Sequence, residues 1–217
     1  MDNMIYILFI CVAVPLLLSL FILEKKSRLT MGYILLGMLM CLVVSEINGA
    51  LLGFFGNDML YVTTTITPVT EELIKALPVL YYAYVFSDKR DTLLNISFAE
   101  GIGFAVLENI IIFASSIGTT SLFWALIRGF GSGLMHGICT VMVGLGISFV
   151  KKKRKLFLSG VFALMTFAII YHATYNCFVQ SKYPVLGFLL PIVTYVPLLI
   201  VLAAQNKKAV KDTAANK

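Results

Sequence analysis

A chain of 217 residues that is 59% hydrophobic and only 13% charged has too little polar material to coat a soluble fold of its size. Its mean hydropathy of +0.93 makes lipid the expected solvent, with one membrane domain over residues 1–204 and a basic tail over 205–217. The net charge of +6 would suit nucleic acid, but Lys and Arg gather in short clusters between apolar runs and form no aromatic-interleaved basic face. That pattern excludes nucleic-acid binding and fits loops facing anionic lipid.

The chain begins Met-Asp-Asn, with neither a basic leader nor a small-residue cleavage site, so the first apolar run, 4–23, is expected to be a membrane span. Six more runs follow at 30–55, 61–86, 93–116, 122–150, 156–179 and 185–204, each close to the ~20 residues that a helix needs to cross the hydrocarbon. Pro191 and Pro197 make the last of them the least regular. Cys11, Cys41, Cys139 and Cys177 all fall within apolar runs at no metal-ligand spacing, and they read as small buried side chains. The predicted fold is an all-α, polytopic, multi-pass bundle of about seven spans.

Alternate loops divide the basic residues unevenly. One set holds Lys25, Lys26 and Arg28, then Lys89 and Arg90, then the run Lys151 to Lys155, and the four lysines of the tail; the other holds only Lys182. Fourteen against one predicts a cytoplasmic C-terminus and an outer N-terminus in a cell membrane, which requires an odd number of spans.

Several polar residues sit where the bilayer should exclude them: Glu46, Glu71, Glu72, Lys75, Glu100, Glu108, Arg128, His136 and His172, with Asn48, Asn109 and Asn176. An ionisable group at that depth costs several kcal/mol unless paired or hydrated, so it marks a functional site by default. Five acids against two fixed bases require that some carboxyls be protonated, face water, share a proton with histidine or bind a cation. At ~1.5 Å per residue, Glu71, Glu72, Glu108, His136 and His172 lie roughly 10–20 Å below the outer helix ends and can meet. Glu46 shares that depth, and Glu100 lies nearer the cytoplasm.

Helical spacing sorts these groups onto faces. Lys75 is four residues from Glu71 and three from Glu72, so either carboxylate can pair with it. His172 and Asn176 share a face, and Gly133 with Gly137 lets another helix approach beside His136.

Read in order, Glu-Glu-Leu-Ile-Lys (71–75), Gly-Phe-Ala-Val-Leu-Glu-Asn (103–109), Arg-Gly-Phe-Gly-Ser-Gly-Leu-Met-His (128–136) and His-Ala-Thr-Tyr-Asn (172–176) resemble the PrsW family of intramembrane proteases, a relative of the CAAX prenyl proteases and bacteriocin-processing proteins. The four pieces fall on four successive spans within a core of 61–179. Asp88 to Leu94 matches the family's acidic segment only loosely, which leaves Asp88 and Asp91 without an assigned role.

The resemblance implies an intramembrane endopeptidase cutting a single-span membrane protein, such as an anti-sigma factor, near its outer face. It implies Glu71 as base with His136 sharing the water, and His172 with Asn176 as oxyanion donors. Glu72 and Lys75 would orient the base, and Glu108 with Asn109 would support the site. Arg128 neutralises a buried carboxylate in this reading. No cofactor is expected in it, while zinc on His136, His172 and Glu71 is the alternative. Structural readings stand beside these: an ion pair of Glu71 or Glu72 with Lys75, and an interhelical clasp through His172 and Asn176. A proton-coupled transporter or channel and a non-enzymatic immunity or scaffold protein are the competing functions.

Overall fold

At bilayer depth no water satisfies a free backbone group, so apolar runs of this length must close their hydrogen bonds internally as helices. The computed structural model describes residues 4–116, 121–151 and 154–196. Among these it holds seven helices and no strand: α1 (Met4–Ser19), α2 (Lys25–Phe54), α3 (59–85), α4 (Arg90–Ser115), α5 (Leu122–Ile147), α6 (Arg154–Val179) and α7 (Pro184–Val196). Each corresponds to one predicted run. The end of the last run, 197–204, and the basic tail lie outside the described residues, as does Gly118.

Four helices are both long and apolar enough to cross a membrane: α2, α4, α5 and α6. Helix α3 has the length but carries Glu71, Glu72 and Lys75 within about one turn, while α1 and α7 are shorter apolar helices.

Helix α4 is the centre of the packing. It runs along α2 on one side and α5 on the other, α5 continues onto α6, and α3 meets α2, α5 and α6. Small residues set these approaches. A Cβ on Gly37 would collide with the Glu100 backbone, and one on Gly103 with that of Ile34, so α2 and α4 touch backbone to backbone. Gly101 lies against the His136 carbonyl in the same way, which draws α5 onto α4 where that histidine projects. Of the predicted glycine step, Gly137 is the working half, since it seats the Phe98 ring, while Gly133 has room to spare.

Two helices contain π-turns. In α3 the turn spans Val62–Ile66 and stands just before Pro68. The Thr67 amide reaches back to the Val62 carbonyl, and residue 68, a proline, has no amide to offer Thr63. The Thr63 carbonyl is therefore left open, and Asn176 of α6 donates to it at 2.9 Å. In α5 the turn spans Ile127–Ser132, and Asn109 of α4 donates to its Arg128 carbonyl at 3.4 Å. An asparagine from a neighbouring helix closes each one.

Candidate active site

The charged residues of α3 point into the bundle. Glu71, Glu72 and Lys75 are buried, as are His136 of α5 and His172 of α6. Lys75 Nζ donates to Glu72 Oε1 at 2.6 Å and lies 3.0 Å from His136 Nδ1. The same Glu72 oxygen is 2.8 Å from His172 Nδ1. Of the two pairings open to Lys75, the tight one is with Glu72.

Glu71 is placed differently. Its Oε2 is 3.8 Å from His136 Nδ1 and 3.8 Å from His172 Nε2. Neither Glu71 Oε2 nor His172 Nε2 has a hydrogen-bond partner among the described residues. The two imidazoles meet edge to face with centroids 4.9 Å apart. Phe104 closes one wall, its ring 5.0 Å from that of His136 and 4.9 Å from Lys75 Nζ.

A second group lies beside the first. Glu108 Oε2 accepts from Arg128 Nη2 at 2.8 Å and from Ser132 Oγ at 3.0 Å, and it is 3.3 Å from His136 Nε2. Arg128 Nε donates to Asn109 Oδ1 at 3.1 Å. The Glu108 side chain is 24% exposed against 5% for Glu71, so this group stands between the inner cluster and the outside of the bundle. His136 belongs to both groups, one nitrogen toward each.

The structure thus brings together Glu71, Glu72, Lys75, Glu108, Asn109, Arg128, His136 and His172. Asn176 lies one turn beyond His172, with one amide hydrogen engaged by the Thr63 carbonyl. Glu46 is exposed and outside the cluster, and Asn48 accepts from Thr70 at 2.6 Å as a clasp between α2 and α3. Glu100 is fully buried, and neither of its oxygens has a hydrogen-bond partner among the described residues. Asp91 is exposed in the first turn of α4, where a carboxylate favours the helix dipole. It stands 17 residues, about 25 Å, from Glu108 and takes no part in the site.

Ser132 and Phe104 were not among the predicted residues. Neither is ionisable, so a search for charge at membrane depth passes over both. Tyr175 was missed likewise: it is buried, and its hydroxyl has no partner among the described residues.

The geometry suits a divalent metal as one occupant. Glu71, His136 and His172 each offer a ligand atom, all within 4.8 Å of one another, and two of the donors are the unpartnered buried atoms named above. The Glu72 carboxylate on the far nitrogen of His172 is the outer-shell partner that metal-bound imidazoles usually have. The Lys75 ammonium, 3.0 Å from His136 Nδ1, competes for that lone pair.

No curated protein and no solved structure matched the chain. The family model described as PrsW family intramembrane metalloprotease matches residues 25–202, from the start of α2 to beyond α7. The match spans the whole cluster and well over half of the sequence, and the chain belongs to the PrsW family of intramembrane proteases.

Proposed function

We propose that the protein hydrolyses a peptide bond of a single-span membrane protein, with Glu71 as the base that activates water. The observation that carries this reading is the unpartnered pair, Glu71 Oε2 and His172 Nε2, 3.8 Å apart and both buried. A water set to one side of the pair, at hydrogen-bond distance from each atom, would be held by both. Peptide hydrolysis needs a carboxylate to take the proton of that water and donors for the oxyanion that follows.

Each residue then has a task. Glu72 accepts from His172 Nδ1, which leaves Nε2 turned toward Glu71 and the carbonyl under attack. Lys75 neutralises Glu72, so Glu71 is not forced to share its pocket with an unpaired charge. Glu108 holds His136 through Nε2, and Nδ1 takes the Lys75 ammonium at 3.0 Å with Glu71 Oε2 at 3.8 Å beside it. Asn176 keeps one amide hydrogen for the oxyanion, and its other fixes the α3 π-turn.

The same unpartnered atoms favour a second reading, in which Glu71, His136 and His172 hold a divalent metal. When bound, such an ion would make its water nucleophilic near neutral pH and polarise the scissile carbonyl. The residues outside the triad keep their tasks in either case.

An anti-sigma-factor-like substrate, cut near the outer face, remains part of the proposal, as does the kinship with CAAX prenyl proteases. The orientation follows from the basic loops: single-cysteine labelling should reach Asn57 from outside and Ser87 only from the cytoplasm. Reversed labelling would move the cut to the other face. The main experiment incubates purified protein with single-span substrates, with and without chelator, and measures bound metal in the same preparations. Cleavage by metal-free protein supports the glutamate reading. Loss of cleavage on chelation, restored by added zinc, supports the metal. No product from any substrate in either state would remove the hydrolase reading.

A further inference from the structure

The cluster does not use the basic end of α2. Lys25, Arg28, Leu29, Gly32, Tyr33 and Leu36 recur at the spacing of one helix face, and all line a cavity of about 980 Å³ between α2 and the end of α3. Lys26 and Lys89 add charge at its mouth, and Tyr81, Tyr82 and Phe86 form the opposite wall. Among the described residues that line it, none is acidic. From Lys25 to Leu36 the wall runs about 16 Å along the helix, the depth of one leaflet of hydrocarbon. Charge sits at one end of that length and apolar surface fills the rest.

The other flank of α2 repeats the pattern. A second cavity of about 730 Å³ has Lys26 and Arg90 at its basic end, with Ile34, Leu94, Phe98 and Ile102 below. Arg90 to Ile102 spans about 18 Å of α4, again one leaflet deep.

We propose that the cavity between α2 and α3 binds one anionic glycerophospholipid drawn from the bilayer, its phosphate among Lys25, Arg28 and Lys89 and an acyl chain along Gly32 and Leu36. A free phosphate ester would satisfy the cations but leave the apolar length empty. A zwitterionic lipid would fill the length but bring a cation to a basic mouth. Only an anionic lipid matches both ends. The site is also joined to the charged helix: Tyr33, in its wall, donates to the Pro78 carbonyl at 3.1 Å, three residues beyond Lys75. The inference stands apart from the protease reading, because it concerns binding alone.

Native mass spectrometry of the detergent-purified full chain tests it, titrating phosphatidylglycerol, phosphatidylcholine with the same acyl chains, and glycerol 3-phosphate. One phosphatidylglycerol should be retained preferentially. Lys25→Gln and Lys89→Gln should each weaken it about fivefold. Gly32→Phe provides an uncharged test, since a Cβ there meets nothing within 4 Å and the ring would enter the cavity without disturbing the helix. It should abolish preferential retention while melting temperature in detergent stays unchanged. Lys151→Gln with Lys155→Gln, in a basic cluster that does not line the cavity, should have no effect. Equal retention of phosphatidylcholine, full binding in Gly32→Phe, or an equal loss in the Lys151/Lys155 variant would each overturn the proposal. Glycerol 3-phosphate binding as tightly as the lipid would overturn the acyl-chain half of it.

Discussion

The two halves of the buried cluster handle the same chemistry in opposite ways. Around Glu108, Arg128, Asn109 and Ser132, one carboxylate oxygen takes two donors, faces His136 Nε2 and is partly exposed. Around Glu71 and His172, in the drier half, a carboxylate oxygen and an imidazole nitrogen are left without partners among the described residues. An unsatisfied buried polar atom typically costs about 1–3 kcal/mol, so two side by side are a standing expense of the fold. The difference teaches how the two halves divide: the first fixes His136 through a satisfied carboxylate, and the second leaves free the two atoms that the proposed hydrolysis would use. Lys75 with Glu72 is the fixed charge pair beneath both.

That comparison can be broken most severely at Lys75. Lys75→Met leaves Glu72 as an uncompensated buried charge, and the protein should lose about 3–5 kcal/mol of stability, seen as a large fall in melting temperature and expression. An unchanged melting temperature would mean that the pair does not anchor the bundle. Glu71→Gln sharpens the contrast from the open side. It should cut turnover by at least about 10²-fold while melting temperature holds, because the atom removed from service was bonding nothing. Full proteolytic activity in a folded Glu71→Gln protein would end its assignment as base.

Asn176→Ala comes next. It uncovers the Thr63 carbonyl, so stability should fall by about 1–3 kcal/mol, and if the second amide hydrogen serves the oxyanion, turnover of the remaining folded protein should fall as well. Lost stability at wild-type turnover would make Asn176 a clasp alone. Arg128→Lys should do least, at about 1 kcal/mol, because an ammonium keeps the charge on Glu108 but cannot also reach Asn109. Equal turnover in that variant supports a purely supporting role for the outer half, whereas a loss as large as that of Glu71→Gln would dissolve the distinction.

Much of this was legible in the sequence because bilayer physics makes charge conspicuous. Glu71, Glu72, Lys75, Glu108, His136 and His172 stand out in apolar runs, and depth and spacing were enough to bring them together. The seven helices likewise follow from seven runs. Spacing along one helix could not say which glutamate Lys75 would take, since both are within reach at three and four residues. The answer lies across helices, where the Glu72 oxygen that Lys75 takes is also held by His172, a hundred positions away. Ser132 and Phe104 lay inside the matched pieces without a role of their own, because their roles come from contacts across helices rather than from their own charge. The π-turns were missed although Pro68 marked one of them, because hydropathy counts residues in a run and is blind to how the backbone spends its hydrogen bonds.

The π-turn at 62–66 has a geometric meaning beyond the carbonyl it frees. It inserts one residue into a helix that otherwise advances about 100° per residue, so it acts as a phase joint between two rigid rods. After it, Glu71, Glu72 and Lys75 keep the azimuth that faces the histidines; before it, Met59, Leu60 and Tyr61 are exposed. Deleting a single residue from Thr63-Thr64-Thr65 would remove the extra residue and leave the two rods in phase, whereas winding the same residues into a regular α-helix would rotate one rod against the other by that angle. The first segment or the three charged residues would then face the wrong neighbours, with every motif residue still present.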